Sequence, residues 1–270
     1  IGGIAVSGVY LGNEETLVEL PAIQYITNIL CYEFTPGERL TPEFDERESL
    51  TEVVLARRLK QALCRLNPWM NDSNVNKAVR YLARPEGLGT SLLEVNEKIY
   101  DAIINLNYAL EQDLDGSGQK RRHTVHFIDW DNPENNDFLV TRQFKIQGPQ
   151  EKAIPDIIIF INGIPVVVLE CKSPFLEKSK NENIGKHEAF TQLRRYMNER
   201  DANFIEGAPR LFYTNFITGI LNKYNAYVGT ISAQYNHYLE WKDPFPFKVE
   251  DIADVADNGQ NIFLQGVLEK

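Results

Sequence analysis

The residues of this chain best suited to chemistry lie close together. Asp156 opens an apolar run, Ile157 to Ile161, and a second run, Val166 to Leu169, leads into Glu170, Cys171 and Lys172. Acids and a lysine are costly on strands this hydrophobic unless they are paired or hold a metal. Mg²⁺ prefers hard oxygen ligands and keeps several waters, so two carboxylates and a backbone carbonyl suffice; Asp156, Glu170 and the carbonyl of Cys171 fit that need. An ion held there would polarise a phosphate and activate a bound water. Lys172 would steady that water or neutralise charge developing in the transition state.

The two runs must place these groups. Both are apolar at successive positions, the pattern of strands covered on both faces. Asn162-Gly163 between them is a hairpin signal, since both residues tolerate φ > 0. Side chains alternate along a strand, so Glu170 and Lys172 share one side while Cys171 points to the other as a small core hydrophobe. A two-residue loop pairs Ile161 with Ile164 and hence Asp156 with Leu169, which leaves Asp156 and Glu170 on opposite faces. A shared metal therefore requires a break: a three-residue loop with a bulge at Gly163, or a bent strand end at Asp156 beside Pro155. A regular ladder would instead favour an ordinary core hairpin with charges at its ends.

The remaining elements are read more coarsely. Residues 1–41 read as irregular, with a short strand near Ile23 to Ile26. A long helix is expected from Pro42 to about Asn67, another over Asn74 to Ala83, and a third from the capping box Ser91-Leu92-Leu93-Glu94 to about Gln112. Strands are expected at Thr124 to Asp129, Phe138 to Ile146, the hairpin, Pro209 to Tyr213 and Ala226 to Ile231, with a helix over Gly185 to Glu199. On that helix Gln192 and Tyr196, four apart, share a face that can point back at the hairpin, although taken alone the pair reads first as a surface helix with a half-buried tyrosine. The implied fold class is α/β (α+β): a central mixed sheet flanked by helices, with a helical front at 42–115, sheet and helix at 116–241, and a linker at 242–270.

Composition sets bounds. With 270 residues, 43% of them hydrophobic, the chain can bury a sizeable core. No run approaches a membrane span and no signal peptide is read at its start. Cys31, Cys64 and Cys171 are scattered, which fits a reducing cytosol. His123 and His126 would face opposite sides of a strand, so they are no metal pair. The net charge of −10 is unfavourable for phosphate binding, but it is uneven. Residues 1–115 carry 10 basic and 18 acidic side chains, 116–200 carry 13 and 11, and 201–270 carry 5 and 9. The middle segment holds the clusters Lys120-Arg121-Arg122 and Arg194-Arg195, candidate nucleic-acid contacts that can equally be solvated faces.

Asp…Glu-x-Lys on a hairpin is the signature of the PD-(D/E)xK nucleases. Within that superfamily the chain resembles the N-terminal nuclease region of the R (HsdR) subunit of type I restriction–modification enzymes. The resemblance is carried by TEVVLARRLKQALCRLNP (51–68), VNEKIYDAI (95–103), the hairpin, ENIGKHEAFTQLRRY (182–196) and YVGTISAQYNHYLEW (227–241). It implies a Mg²⁺-dependent endonuclease (Mn²⁺ as substitute) acting on unmodified foreign double-stranded DNA, beside methylase and specificity subunits, in a bacterial or archaeal cytoplasm. It implies Asp156, Glu170 and Lys172 as catalytic, Gln192 and Tyr196 as accessory, and Glu52 as a helix glutamate completing the metal site, with Glu48 competing. Such subunits also carry an ATP-driven motor with a Gly-x4-Gly-Lys-Ser/Thr loop, and no such loop occurs in this sequence. The start at Ile1 and the end at GVLEK fit a fragment of a longer protein, with ATP use belonging to the motor. Two other readings are a stand-alone repair or type III-like nuclease and an inactive nuclease fold serving as a DNA-binding or docking platform.

Overall fold

The computed structural model describes residues 13–175, 184–200, 205–252 and 259–270. The Lys-, Asn- and Glu-rich loop read after the hairpin falls largely outside them. Among the described residues the strands in chain order are β1 (Glu33–Phe34), β2 (Ala109–Gln112), β3 (Arg121–Thr124), β4 (Phe138–Arg142), β5 (Ile146–Gln147), β6 (Lys152–Ala153), β7 (Ile157–Ile161), β8 (Ile164–Cys171), β9 (Ile217–Leu221), β10 (Ala226–Gly229) and β11 (Leu239–Glu240). Seven form one mixed sheet in the order β1-β4-β7-β8-β9-β10-β11, parallel at β1–β4 and β8–β9 and antiparallel elsewhere. The helices are α1 (Leu20–Asn28), α2 (Ala56–Leu66), α3 (Asp72–Ala83), α4 (Leu92–Ile104), α5 (Ile184–Tyr196) and α6 (Gly259–Leu268). The architecture is the expected mixed α/β fold, with β7 and β8 central and buried almost throughout.

The hairpin forms as read, but its break lies elsewhere. Asn162 and Gly163 take φ of 53° and 78°, both in the left-handed region that a two-residue hairpin loop requires. A side chain at Gly163 would also come within 2.6 Å of the Leu55 carbonyl. Asn162 is fully buried: its side chain accepts from Asp137 N at 2.9 Å and donates to Phe127 O and Asn136 Oδ1. Ile161 pairs with Ile164 and Phe160 with Pro165, but Ile159 then pairs with Val167. Val166 is the extra residue of a bulge, and its carbonyl accepts from Phe216 N at 2.8 Å at the entry to β9. Pro165 has no N–H for a ladder and is at home beside such a bulge. Past it, Ile157 pairs with Leu169, so the next step sets Asp156 opposite Glu170.

The N-terminal part departs most from expectation. Residues 15–28 are helical, a π turn (Glu15–Glu19) running into α1, rather than irregular with a strand at Ile23 to Ile26. Asn13 and Thr16 cap its start reciprocally, Asn13 N to Thr16 Oγ1 and Thr16 N to Asn13 Oδ1, both 2.9 Å. The long helix from Pro42 is absent, and α2 begins only at Ala56. Buried Arg47 organises the preceding loop, donating to the carbonyls of Leu40 (2.6 Å), Glu52 (2.8 Å) and Lys145 (2.5 Å) while stacking on Phe144 at 4.1 Å. A continuous helix would spend the local carbonyls on itself.

Other boundaries also move. α4 stops at Ile104, and 109–112 is a strand paired with β3. Pro209–Phe212 is a 3-10 turn, and the strand beside β8 is Ile217–Leu221. Within the stretch expected as a linker, α6 is a core helix. It packs against α1, sets Phe263 over Gly219, and ties in through Tyr25 Oη to Gln265 and Tyr32 Oη to the Leu268 carbonyl, both 2.7 Å. No helix of the described residues is long and apolar enough to cross a membrane.

Candidate metal centre

Asp156 and Glu170 are both buried, 8% and 3% exposed. One carboxylate oxygen of Asp156 accepts from Cys171 N at 2.8 Å, which clips the end of β7 to the end of β8. The register past the bulge sets the Glu170 carboxyl opposite Asp156. Lys172 Nζ donates to Glu170 Oε1 at 3.2 Å and to the Cys171 carbonyl at 2.8 Å. The hairpin thus brings the three charged groups together, and the ammonium holds the carbonyl proposed as a ligand.

The rest of the cluster was missed in the sequence. Glu14 and Glu19 project from the π turn, and together with Asp156 each offers a carboxylate oxygen within 4.8 Å of the others. An α-helix turns about 100° per residue, so residues five apart would sit about 140° from one another; the wider i→i+5 turn brings them onto one face. Pro21 follows this turn and lacks the N–H that a regular helix would give to Leu17, which favours widening just there. The sheet fixes the helix at three points. Glu14 Oε2 accepts from Ser173 N at 3.0 Å, Glu15 pairs with Arg142, and the Gln143 amide donates to Glu19 and Asp156, each at 3.3 Å. The available signal was the Asn13-x-x-Thr16 cap ahead of Val18, Ala22, Tyr25 and Ile26 at helical spacing.

Glu52 is a correction. It precedes α2, its Oε2 accepts from Glu48 N at 2.9 Å, and its nearest cation is Arg84 at 3.8 Å. Glu48 is exposed and lies 3.9 Å from the same arginine. Neither belongs to the acid group around Asp156, because the loop built on Arg47 replaces the helix that would have presented them.

Gln192 and Tyr196 do face the hairpin, at one remove from the acids. Gln192 Nε2 donates to Tyr196 Oη at 2.8 Å, and Tyr196 Oη donates to the Ile154 carbonyl at 3.0 Å, two residues before Asp156. The pair therefore steadies the entry to β7. Arg194 is engaged by Glu199 at 2.5 Å and by the Ile231 carbonyl, and Arg195 lies 3.7 Å from Glu151 and 5.2 Å from the Tyr196 ring. Both are partly covered and lie beside an acid, while Arg195 Nε is buried without a hydrogen-bond partner among the described residues. Lys120, Arg121 and Arg122 are exposed at the β2–β3 hairpin, apart from the main sheet.

The electrostatics suit a cation. Burial pushes the Glu14, Glu19, Asp156 and Glu170 carboxyls above their ordinary range, Glu170 furthest, and repulsion from neighbouring acids adds to each except Asp156, where neighbouring hydrogen bonds and Lys172 pull back. For Lys172 burial alone would lower the value, but Glu170, Glu14 and Asp156 outweigh it and the net shift is upward, so the ammonium stays charged. Glu170 Oε2 is fully buried and accepts no hydrogen bond from the described residues. An oxygen of that kind needs a proton or a cation. Glu14, Glu19 and Asp156 grouped within 4.8 Å, with Glu170 paired to Lys172 beside them and one of its oxygens lacking a donor, offer the hard-oxygen ligands that Mg²⁺ or Mn²⁺ prefers.

The sequence model of the family "Type I restriction enzyme R protein N terminus" matches residues 12–237. The chain is 33% identical over 182 residues, 65% of its length, to the putative type I restriction enzyme MjaIXP endonuclease subunit of Methanocaldococcus jannaschii, covering 16% of that protein. It is 28% identical over 197 residues, 73% of its length, to the type I restriction enzyme HindI endonuclease subunit of Haemophilus influenzae, covering 17% of it. A third relative, the putative MjaVIIIP endonuclease subunit of M. jannaschii, is 36% identical over 122 residues, 44% of this chain and 10% of the relative. The chain spans about a sixth of the length of the first two.

Proposed function

The chain belongs to the family of type I restriction enzyme R protein N termini, and from that premise we propose that it is the nuclease module of such a subunit, cutting the phosphodiester backbone of unmodified foreign double-stranded DNA. The observation that carries this reading is the acid group Glu14, Glu19 and Asp156 together with the buried Glu170, one of whose oxygens lacks a donor and the other of which meets Lys172. Glu14, Glu19, Asp156 and Glu170 would hold Mg²⁺, or Mn²⁺ in its place. When bound, the ion would withdraw charge from the scissile phosphate and supply a more acidic water.

The protein's own groups do the positioning. Lys172, locked between Glu170 and the Cys171 carbonyl, presents an ammonium where negative charge develops. Cys171 N fixes one oxygen of Asp156 and leaves the other toward Gln143. Tyr196 and Gln192 hold the Ile154 carbonyl and so the approach to Asp156. A scaffold with no chemistry has no use for Glu14, Glu19, Asp156 and Glu170 gathered at the end of this hairpin, where apolar residues would be cheaper. Recognition of the DNA site would lie with specificity and methylase subunits, and ATP use with a motor elsewhere in the full subunit, in the cytoplasm of a bacterium or archaeon.

The test uses the full-length R subunit assembled with its partners on plasmid DNA. Lys172→Ala and Asp156→Ala should each lower cleavage by at least about 10²–10³-fold while ATP hydrolysis continues. Cleavage at the wild-type rate in either variant would overturn the assignment.

A further inference from the structure

The nuclease reading leaves unexplained why a non-glycine residue in a left-handed conformation stands at the mouth of the acid cluster. Gln143 follows the last residue of β4 with φ 54°. Such backbone costs roughly 1–3 kcal/mol and persists where its surroundings dictate it. Here they do. Gln143 N donates to the Asp156 carbonyl at 3.0 Å. Its own carbonyl lies so close to Gly37 that a side chain there would come within 2.4 Å of it. Arg142 before it pairs with Glu15, and Phe144 after it is buried under Arg47.

The outcome is a carboxamide whose nitrogen donates both to Glu19 Oε2 and to Asp156 Oδ1, at 3.3 Å each. One acid comes from the helix and the other from the hairpin. Gln143 is exposed and also borders a cavity of about 880 Å³ lined by Leu20, Phe34, Lys145 and Ile154.

Resting on the nuclease reading, we propose that Gln143 is a positioning residue of the metal centre: its amide draws Glu19 and Asp156 to a common point and sets the spacing in which the ion is held. A neutral donor suits this task. A carboxylate would add repulsion, and an ammonium would occupy the place of the ion. Groups that orient metal ligands by hydrogen bonds contribute about 10- to 100-fold to affinity.

The experiment titrates Mn²⁺ into the metal-free 270-residue chain by calorimetry and measures the thermal midpoint of each metal-free variant. Gln143→Met and Gln143→Ala should weaken Mn²⁺ binding by about 10- to 100-fold with the metal-free midpoint little changed, because water can replace the amide at this exposed position. Gln143→Lys should abolish Mn²⁺ binding and raise the metal-free midpoint. Wild-type affinity in Gln143→Met and Gln143→Ala would overturn the proposal, and so would a loss of affinity matched by a falling midpoint, the mark of a merely structural role. A wild-type chain that takes up no Mn²⁺ would bring down the proposal and the nuclease reading together.

Discussion

Two stretches of chain meet at the acid cluster, and they reach it by different routes. The hairpin carries Asp156, Glu170 and Lys172 within one local unit. Its strand period and its Asn162-Gly163 turn bring them together, corrected by one extra residue at Val166. The helical turn carries Glu14 and Glu19 from the far end of the sequence; Glu14 lies 159 residues from Ser173, whose amide it accepts. A motif search finds the first half of such a centre because its parts are near one another in the chain. The second half is defined only by what the helix packs against.

The widest test of that difference sets the helix glutamates against the misassigned one. Glu19→Gln, Glu14→Gln and Glu170→Gln should each weaken Mn²⁺ binding by at least the roughly 10-fold expected on disturbing a metal-ligand set, whereas Glu52→Gln should leave it unchanged. Calorimetric titration of the four variants decides it. Equal binding by Glu19→Gln and wild type would confine the centre to the hairpin.

A smaller effect is expected from pH. The four carboxyls are held above their ordinary range in the folded chain, so the native state binds their protons more tightly than the unfolded one. The metal-free protein should therefore gain stability from these groups as pH falls toward about 4, and lose it as they ionise on the way up. A divalent cation competes with those protons. The rise in melting temperature on adding Mg²⁺ should be small near about pH 5 and larger near about pH 8; a rise independent of pH would contradict the shared cluster.

The smallest effect concerns support from α5. Tyr196→Phe removes the hydroxyl that binds the Ile154 carbonyl and should cost on the order of 1 kcal/mol in denaturant unfolding, with Mn²⁺ affinity nearly intact. A large loss of affinity without loss of stability would move Tyr196 from the frame of the site into the site itself.

Legibility followed the range of the interactions. α3, the capped start of α4, the body of α5 and the β7–β8 hairpin were readable because caps, helical spacing and turn residues act over a few positions. α1 was hidden by Pro21 and a run of glutamates that makes sense only against Arg142, Gln143 and Ser173. The long helix expected from Pro42 lost to Arg47, whose guanidinium gathers carbonyls from 7 and 98 residues away. β9 was placed one turn too early, because Pro209–Phe212 has strand-like residues but folds as a 3-10 turn before the chain reaches β8.

By itself the sequence determined that two buried strands would turn at Asn162-Gly163 and that Asp156, Glu170 and Lys172 would stand at their ends, since alternation and turn chemistry are local. It also required a break in the ladder if the two acids were to share a side. Only the tertiary structure decided where that break falls, which further acids join, and that Gln143 ties the helix to the hairpin. The break depends on the approach of Phe216 to Val166, and the other two on contacts between segments more than a hundred residues apart, whose competition for the same buried space no local pattern encodes.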